Sequence, residues 1–447
     1  MNRVFIKTYG CQMNERDSEA VAFKLKARGY EIVSDEAIAD VVLLNTCSVR
    51  DQAEQKAIGK AGHLAHRKKK NQKFIFGVMG CMAQNRGEEL FDILPDLDLV
   101  VGTQKFHRIP EYLDKITGST EPKTTNIIDL EDEEFSQEEI RDHLDTSQNK
   151  VTAFVSIMQG CNMNCTFCIV PKTRGKERYR SIASITKEVQ ELVDRGVREV
   201  TLLGQIVNAY GRGLLPRIDN KTPFVQLLEK LNEIEGLYRI RFTSPHPTSF
   251  GDDLIECFAR LPKLCEHAHL PMQSGSDRIL KLMNRPYTRK KFLAITKKLR
   301  NAHSKMRIST DVILGFPGES DDDYALTKSA FIEATFEMAY IFKYSERSGT
   351  PAVELSDSVP KEVKEMRNQD LLSQLEKQSY TSNSSSVGKR YEVLVEGKAK
   401  RGKGMLIGRT RCNRRVVFEG NQALAGELLD IEIKDVSVTT LIGTHKP

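Results

Sequence analysis

The chain is 447 residues long, 39% hydrophobic, with 67 basic and 61 acidic side chains for a formal net charge of +6. That length holds two or three domains, each with its own core, and so slight a basic excess matters only through its placement. There is no run of eighteen apolar residues, and the opening Met-Asn-Arg-Val-Phe-Ile-Lys lacks a signal-peptide apolar region. A membrane span is therefore excluded, and a cytoplasmic protein with no membrane partner and with reduced or metal-bound Cys is expected.

The first 120 residues read as alternating strands and helices: strands over 3–9, 40–45, 74–79 and 97–101, helices over 15–28 and 51–66. This rhythm predicts a parallel sheet with helices on both faces, where ligands gather beyond the carboxyl ends of the strands. Cys11, Cys47 and Cys81 each follow a different strand, so the sheet would bring them to one rim. A single such Cys reads as a small buried hydrophobe. Three in equivalent places predict a three-thiolate cluster site. The basic run Arg67-Lys68-Lys69-Lys70 at a helix end reads as a solvated C-terminus, ahead of a phosphate contact. Residues 121–149 are polar and acidic with little periodicity, and read as a linker without chemistry.

The central region opens with a strand over 151–157, followed directly by Cys161, Cys165 and Cys168 in C-x3-C-x2-C spacing. Thiolates this close are metal ligands, for zinc or iron–sulfur. A closed zinc site wants four ligands, and no fourth Cys or His is near, His143 and His246 being the nearest His on either side. Electron-transfer clusters also take four Cys, so three thiolates fit a four-iron cluster with one open iron. A structural zinc knot or unrelated core thiols is the bland alternative. Further strands over 199–203, 240–243, 266–270, 308–314 and 338–344 alternate with helices over 185–196, 224–235, 252–261, 289–302 and 323–334. Six β/α units make an incomplete barrel whose carboxyl-end loops carry the chemistry. Those loops hold Gly204-Gln205, Gln273-Ser274-Gly275, Asp311 and Gly315-Phe316-Pro317-Gly318, each otherwise an ordinary turn. His267 and His269 share one strand face and read as a hydrogen-bonded pair, while Cys257 and Cys265 read as core. Arg174-Gly175-Lys176 and Arg178-Tyr179-Arg180 would hold RNA near the cluster loop, or form a solvated loop.

After a charged helix over 361–379 and a Ser-rich hinge over 381–386, five short strands are predicted over 391–396, 405–410, 415–418, 428–433 and 439–443. They suggest a small OB-like β-barrel. Lys398, Lys400, Arg401, Lys403, Arg409, Arg411, Arg414 and Arg415 form a run with no acidic residue among them, which predicts an RNA-binding face. Cys412, within it, reads as incidental.

Cys161-Asn162-Met163-Asn164-Cys165-Thr166-Phe167-Cys168, with an aromatic residue before the last Cys, resembles the radical S-adenosylmethionine (SAM) enzymes. The resemblance implies that SAM chelates the open iron and is cleaved to a 5′-deoxyadenosyl radical, with Phe167, Gly204, Gln205, Gln273, Ser274 and Asp311 as SAM contacts. Thr8-Tyr9-Gly10-Cys11-Gln12-Met13-Asn14, Leu44-Asn45-Thr46-Cys47-Ser48-Val49-Arg50 and Gly80-Cys81-Met82-Ala83 resemble the auxiliary-cluster motifs of the methylthiotransferases. The family likeness covers essentially the whole chain, and the C-terminal segment resembles the TRAM domain. It implies two [4Fe-4S] clusters, one on Cys161, Cys165 and Cys168 and one on Cys11, Cys47 and Cys81. The implied fold is α/β: an N-terminal parallel α/β sheet domain (1–118), a linker (119–148), a partial (β/α)6 radical SAM barrel (149–378) and a TRAM-like β-barrel (381–447). Ile206 departs from the Asn common in the family. Thr173-Arg174-Gly175 and Thr243-Ser244-Pro245-His246-Pro247 agree with the branch that methylthiolates N6-isopentenyladenosine 37 of tRNA at C2. The implied partners are a tRNA anticodon loop, a flavodoxin- or ferredoxin-type electron donor and a sulfur donor. The rival branches act on N6-threonylcarbamoyladenosine 37 or on an aspartate of a ribosomal protein. A non-catalytic iron–sulfur RNA-binding sensor is the alternative of another class.

Overall fold

The computed structural model describes residues 2–48, 51–118, 126–133, 136, 150–356, 358–402 and 404–445. The N-terminal sheet contains β1 (Arg3–Thr8), β2 (Glu31–Ile32), β3 (Val41–Thr46), β4 (Ile75–Gly80), β5 (Leu99–Val101) and β6 (Ile127–Asp129) in the order β2-β1-β3-β4-β5-β6. Every pairing is parallel. β3 and β4 are buried at every position, as central parallel strands covered on both faces must be. Val41 and Leu43 enter one apolar cluster and Val42 and Leu44 the other, because successive side chains point to opposite faces.

Two strands of this sheet were not expected. β2 has two residues, and β6 lies within the stretch read as a linker. β6 extends the sheet beside β5, and Ile127 and Ile128 pack against opposite apolar clusters. The basic run is also less free than expected: Lys68 is buried against Asp98 at 2.6 Å, and Arg67 stacks over Phe74 and donates to the Glu36 and Ala39 carbonyls. Lys69 and Lys70 are solvated.

The central barrel is made of two three-stranded parallel sheets. One joins β7 (Thr152–Ser156), β10 (Glu199–Leu203) and β11 (Arg239–Phe242), and the other β12 (His267–His269), β13 (Arg307–Leu314) and β14 (Met338–Lys343). A single bridge, Ile240 to Leu264, joins the first sheet to the approach to β12. The short antiparallel pair β8 (Met158–Gln159) and β9 (Arg178–Tyr179) closes the base of the Cys161 loop. Helices Ile182–Asp194, Pro223–Asn232, Arg289–Ala302 and Asp321–Glu333 begin at Ser181, Thr222, Thr288 and Ser320, whose side chains accept from backbone N–H groups of the first turn; such caps satisfy otherwise orphan donors. Phe224, Phe242, Phe258, Phe292, Phe331 and Phe336 fill the core.

Helix Lys361–Ser384 packs on β14 and continues through most of the expected hinge. Asn383 donates to the Ser437 and Val438 carbonyls and Ser379 to that of Glu337, so these polar side chains dock the helix instead of ending it. Arg367 on this helix pairs with Glu319 at 2.7 Å, with both side chains nearly inaccessible, and Glu319 in turn accepts from Gly315 N at 2.7 Å. Arg367→Leu leaves a buried carboxylate unpaired and is expected to lower stability by about 3–5 kcal/mol, readable as a fall in the chemical-denaturation midpoint.

The C-terminal domain is a closed barrel of β15 (Arg390–Lys398), β16 (Met405–Thr410), β17 (Arg415–Glu419), β19 (Leu441–His445) and β18 (Leu428–Val436), in that spatial order. Closure removes the unpaired edges of so small a sheet. It sits under the amino ends of β10, β11 and β12. Arg239 donates to the Arg409 and Glu392 carbonyls at 2.6 and 3.2 Å, and Arg241 to those of Arg411 and Thr410 at 2.7 and 2.9 Å. Arg411 returns the contact to Glu266 at 2.9 Å and to the Leu264 carbonyl at 2.8 Å. The carboxyl-end rim of the central barrel, where Cys161 follows β8, is at the opposite end.

Candidate active site

Strand register brings the three N-terminal thiols together. Thr8 pairs with Asn45 and Thr46 with Gly80, so β1, β3 and β4 end level and Cys11, Cys47 and Cys81 follow at one rim. The turns allow no larger residue: a Cβ on Gly10 (φ +142°) would meet Cys47 Cβ at 2.6 Å, and one on Gly80 (φ +96°) would meet Asn45 Oδ1 at 2.4 Å. Asn14 and Asn45 are cross-bonded beneath them, Asn14 Nδ2 to Asn45 Oδ1 at 3.0 Å and Asn45 Nδ2 to the Asn14 carbonyl at 2.8 Å. Cys11 precedes the first turn of helix Gln12–Ala27. A hydrogen bond from Cys47 lowers its pKa; burial opposes this, and the nearby Arg174 assists. Burial pushes the Cys81 thiol up.

Cys161, Cys165 and Cys168 follow β7 and β8 at the carboxyl rim of the barrel. Burial raises Cys161 to about 11 and Cys168 to about 12, so ligating thiolates there would need a cation to offset the cost. Arg285 Nη1 donates to Cys165 Sγ at 3.2 Å and Met163 N to Cys161 Sγ at 3.4 Å. Burial works against the Arg285 charge, yet Tyr287 and Cys165 raise its pKa.

Both sets of thiols face one cavity of about 310 Å³, lined among others by Cys11, Cys47, Cys161, Cys165 and Cys168. Cys81, 4% exposed, is the one thiol of the six that is not among the lining residues. Phe167, Gly204, Gln205, Gln273 and Asp311 also line the cavity. Ser274 does not: it is buried and pairs with Thr327 Oγ1 at 3.1 Å. A Cβ on Gly204 would meet Met158 Cγ at 2.4 Å, so packing against β8 already requires that glycine. Gln205 Oε1 and Gln273 Oε1 are buried acceptors with no partner in the protein. His269 reaches Asp311 Oδ2 at 3.2 Å and shares Ser309 Oγ with His267 at 2.9 and 3.1 Å, which bears out the hydrogen-bonded pair. Ile206 packs on Cys161 and Ala209 as part of the apolar wall. Among the described residues, no three His, Cys, Asp or Glu side chains converge on one point as ligands of a single ion would.

The basic residues divide. Arg174 pairs with Asp17 at 2.7 Å, their side chains 3% and 0% exposed, and Arg180 is buried against Glu188, so neither is a solvated RNA contact; Lys176 is exposed. In the C-terminal barrel, Arg409 pairs with Glu396, Arg411 with Glu266, and Arg414 with Ser386 and Tyr391. Lys398, Lys400, Arg401 and Arg415 are exposed. Lys403, and Val49 and Arg50 of the second motif, lie outside the described residues. Arg285 had no signal in the sequence, standing 120 residues from its sulfur partner. His246 had only its place in the Ser-Pro-His-Pro run; it lines the cavity, its backbone held by Asn208 Oδ1 at 2.8 Å and Asn208 Nδ2 at 3.0 Å.

Residues 3–102 match the Uncharacterized protein family UPF0004, residues 155–329 the Radical SAM superfamily and residues 384–445 the TRAM domain. The chain is 54% identical to a tRNA-2-methylthio-N(6)-dimethylallyladenosine synthase of Opitutus terrae, covering 99% of this chain and 97% of that one. It is 49% identical to the protein of the same name from Akkermansia muciniphila, covering 100% and 99%. Among solved structures, the radical S-adenosylmethionine methyltransferase TsrM from Kitasatospora setae aligns with a TM-score of 0.55 at 11% identity, covering 79% of this chain and 77% of that one. The cobalamin-dependent S-adenosylmethionine radical enzyme OxsB aligns at 0.52 and 13%, covering 82% and 56%. These two share the fold. At such identity and coverage to its curated relatives, the chain belongs to the family of tRNA-2-methylthio-N(6)-dimethylallyladenosine synthases, enzymes of the radical SAM superfamily.

Proposed function

We propose that this chain converts N6-isopentenyladenosine 37 in a tRNA anticodon loop to its 2-methylthio derivative, using two four-iron clusters and SAM. The observation that carries the reading is the single cavity lined by thiols of both sets. A purine C–H is neither acidic nor open to a nucleophile, so sulfur insertion needs hydrogen abstraction; a cluster with an open iron and bound SAM supplies that radical chemistry while the protein positions it.

Cys161, Cys165 and Cys168 would hold the radical-generating cluster and Cys11, Cys47 and Cys81 the auxiliary one. Such a cluster would be held by a spread triad of thiols instead of by side chains converging on a point. The protein's own groups fit SAM: the orphan oxygens of Gln205 and Gln273 suit its ammonium and ribose hydroxyls, since an unmet buried acceptor costs about 1–3 kcal/mol. Asp311, oriented by His269, suits the ribose as well, and Phe167 and Ile206 keep water out. His246 suits the target base. Its Nδ1 faces Thr248 N at 3.3 Å and Thr248 Oγ1 at 2.7 Å; with both donating to Nδ1, the ring proton would sit on the buried Nε2, which has no protein partner. Burial, then Arg285 and Arg212, lower its pKa to about 3, so the ring is a neutral donor for an adenine nitrogen beside C2. Lys398, Lys400, Arg401 and Arg415 would meet tRNA phosphates. A flavodoxin- or ferredoxin-type protein would supply electrons, a separate donor would restore sulfur, and the setting would be the cytoplasm.

Mass spectrometry of tRNA nucleosides tests this. Cells lacking the protein should lose 2-methylthio-N6-isopentenyladenosine and accumulate the unthiolated nucleoside, while 2-methylthio-N6-threonylcarbamoyladenosine stays constant. Loss of the latter instead would move the assignment to the rival branch. Anaerobic protein with reductant should also form 5′-deoxyadenosine, which a non-catalytic sensor would not.

A further inference from the structure

One short segment touches both thiol sets. Cys168 stands two residues before helix Val170–Arg174, and Arg174 ends it. The far side of the segment is tied back to the first Cys of the same set, because Cys161 N donates to the Gly175 carbonyl at 3.1 Å. Its middle is tied to the N-terminal domain, where Thr103 Oγ1 donates to the Thr173 carbonyl at 2.6 Å, and the helix packs on Cys81–Arg86. Arg174 then enters the N-terminal domain. Its guanidinium pairs with Asp17 at 2.7 Å on helix Gln12–Ala27, the helix that Cys11 precedes, and its own helix packs on the one that starts at Cys81; there its charge favours the thiolate forms of Cys81 and Cys11. Asp17 does not exhaust it: both Nη groups are buried without a well-angled hydrogen bond. A buried guanidinium with donors to spare, beside two thiols of a set, is suited to an anionic sulfur-rich group.

We propose that Arg174 is a positioning residue linking the two sites: its Nη groups donate to sulfur of the group held by Cys11, Cys47 and Cys81, while the segment it ends fixes that group's separation from the Cys161, Cys165 and Cys168 site. Asp17 orients the guanidinium and partly offsets its charge. This rests on the auxiliary-cluster reading above. Because reduction adds negative charge to the group, loss of Arg174 makes reduction harder, and loss of the Asp17 charge makes it easier.

The test uses full-length protein carrying C161A, C165A and C168A, so that only the auxiliary cluster remains, reconstituted anaerobically and titrated by electron paramagnetic resonance. R174Q should disfavour reduction about tenfold, a one-electron shift of about 59 mV to lower potential. R174K should recover part of that shift, and D17N, which leaves the guanidinium in place, should move the potential upward. In the enzyme with all six ligands, R174Q should lower methylthiolated product at least tenfold more than it lowers 5′-deoxyadenosine. An unmoved potential in R174Q overturns the proposal. Should R174Q fail to fold, a downward or absent shift in D17N overturns it equally. A triple variant that takes up no iron overturns the auxiliary site together with this role, whereas iron with an unmoved potential overturns the role alone.

Discussion

Anaerobically reconstituted protein should carry about eight irons per chain, as two four-iron clusters require, and C161A/C165A/C168A should remove about half of them and abolish 5′-deoxyadenosine formation. The reason is local: these thiols occupy one loop on the barrel's carboxyl rim, and no residue of the N-terminal sheet can substitute for them. C11A/C47A/C81A should remove the other half, leave SAM cleavage measurable and eliminate methylthiolated product, because the Cys161, Cys165 and Cys168 ligands and the proposed SAM contacts all belong to the central barrel. Iron analysis with chromatographic measurement of 5′-deoxyadenosine and of the modified nucleoside separates the two triads. An iron content unchanged by all six replacements would falsify both cluster assignments.

Arg239→Ala should detach the C-terminal barrel. Arg239 is inaccessible to solvent, donates to two carbonyls of that barrel and pairs with Glu392 at 2.9 Å. Its removal leaves two backbone acceptors without their donor, while the Glu199 carboxylate, 3.9 Å from its Nη1, keeps Arg241 at 2.9 Å. A loss of about 2–5 kcal/mol is expected at the interface, about 1–3 kcal/mol for each buried acceptor left unmet, larger than a surface charge change would give. Lys at the same position keeps the charge but cannot fork between the Arg409 and Glu392 carbonyls, so Arg239→Lys should fall between. Limited proteolysis around residues 385–389 should be faster in the Ala variant, while iron content stays at the wild-type level.

The parts legible in the sequence were those with local period or repeated placement. All six barrel strands and the five C-terminal strands were found within a few residues of their bounds, because apolar alternation and Gly turns mark them. Three Cys after three strands located a rim that strand register then confirmed. What escaped was decided at a distance. β2 and β6 are too short to show a period, and the Ser-rich stretch after residue 380 stays helical only because Asn383 finds carbonyls on another domain. The charge of Arg174, Arg180 and Arg411 was visible, but their pairing with Asp17, Glu188 and Glu266 was not, since a sequence displays a cation without its counter-ion. Arg285 and His246 reach the cavity by the same long-range folding.

The seating of the small C-terminal barrel has a consequence for what the enzyme can grip. That domain hangs beneath the floor of the central barrel, and the thiol-lined chamber opens above its ceiling. β13 alone spans eight residues, about 26 Å at 3.3 Å per residue. An RNA fragment no bigger than the loop itself, inserted from above, would leave Lys398, Lys400, Arg401 and Arg415, the proposed phosphate contacts, ungripped. On the proposed reading, a molecule held at both storeys would have to descend the outer flank, and overall size would become part of substrate choice alongside the identity of a single nucleotide.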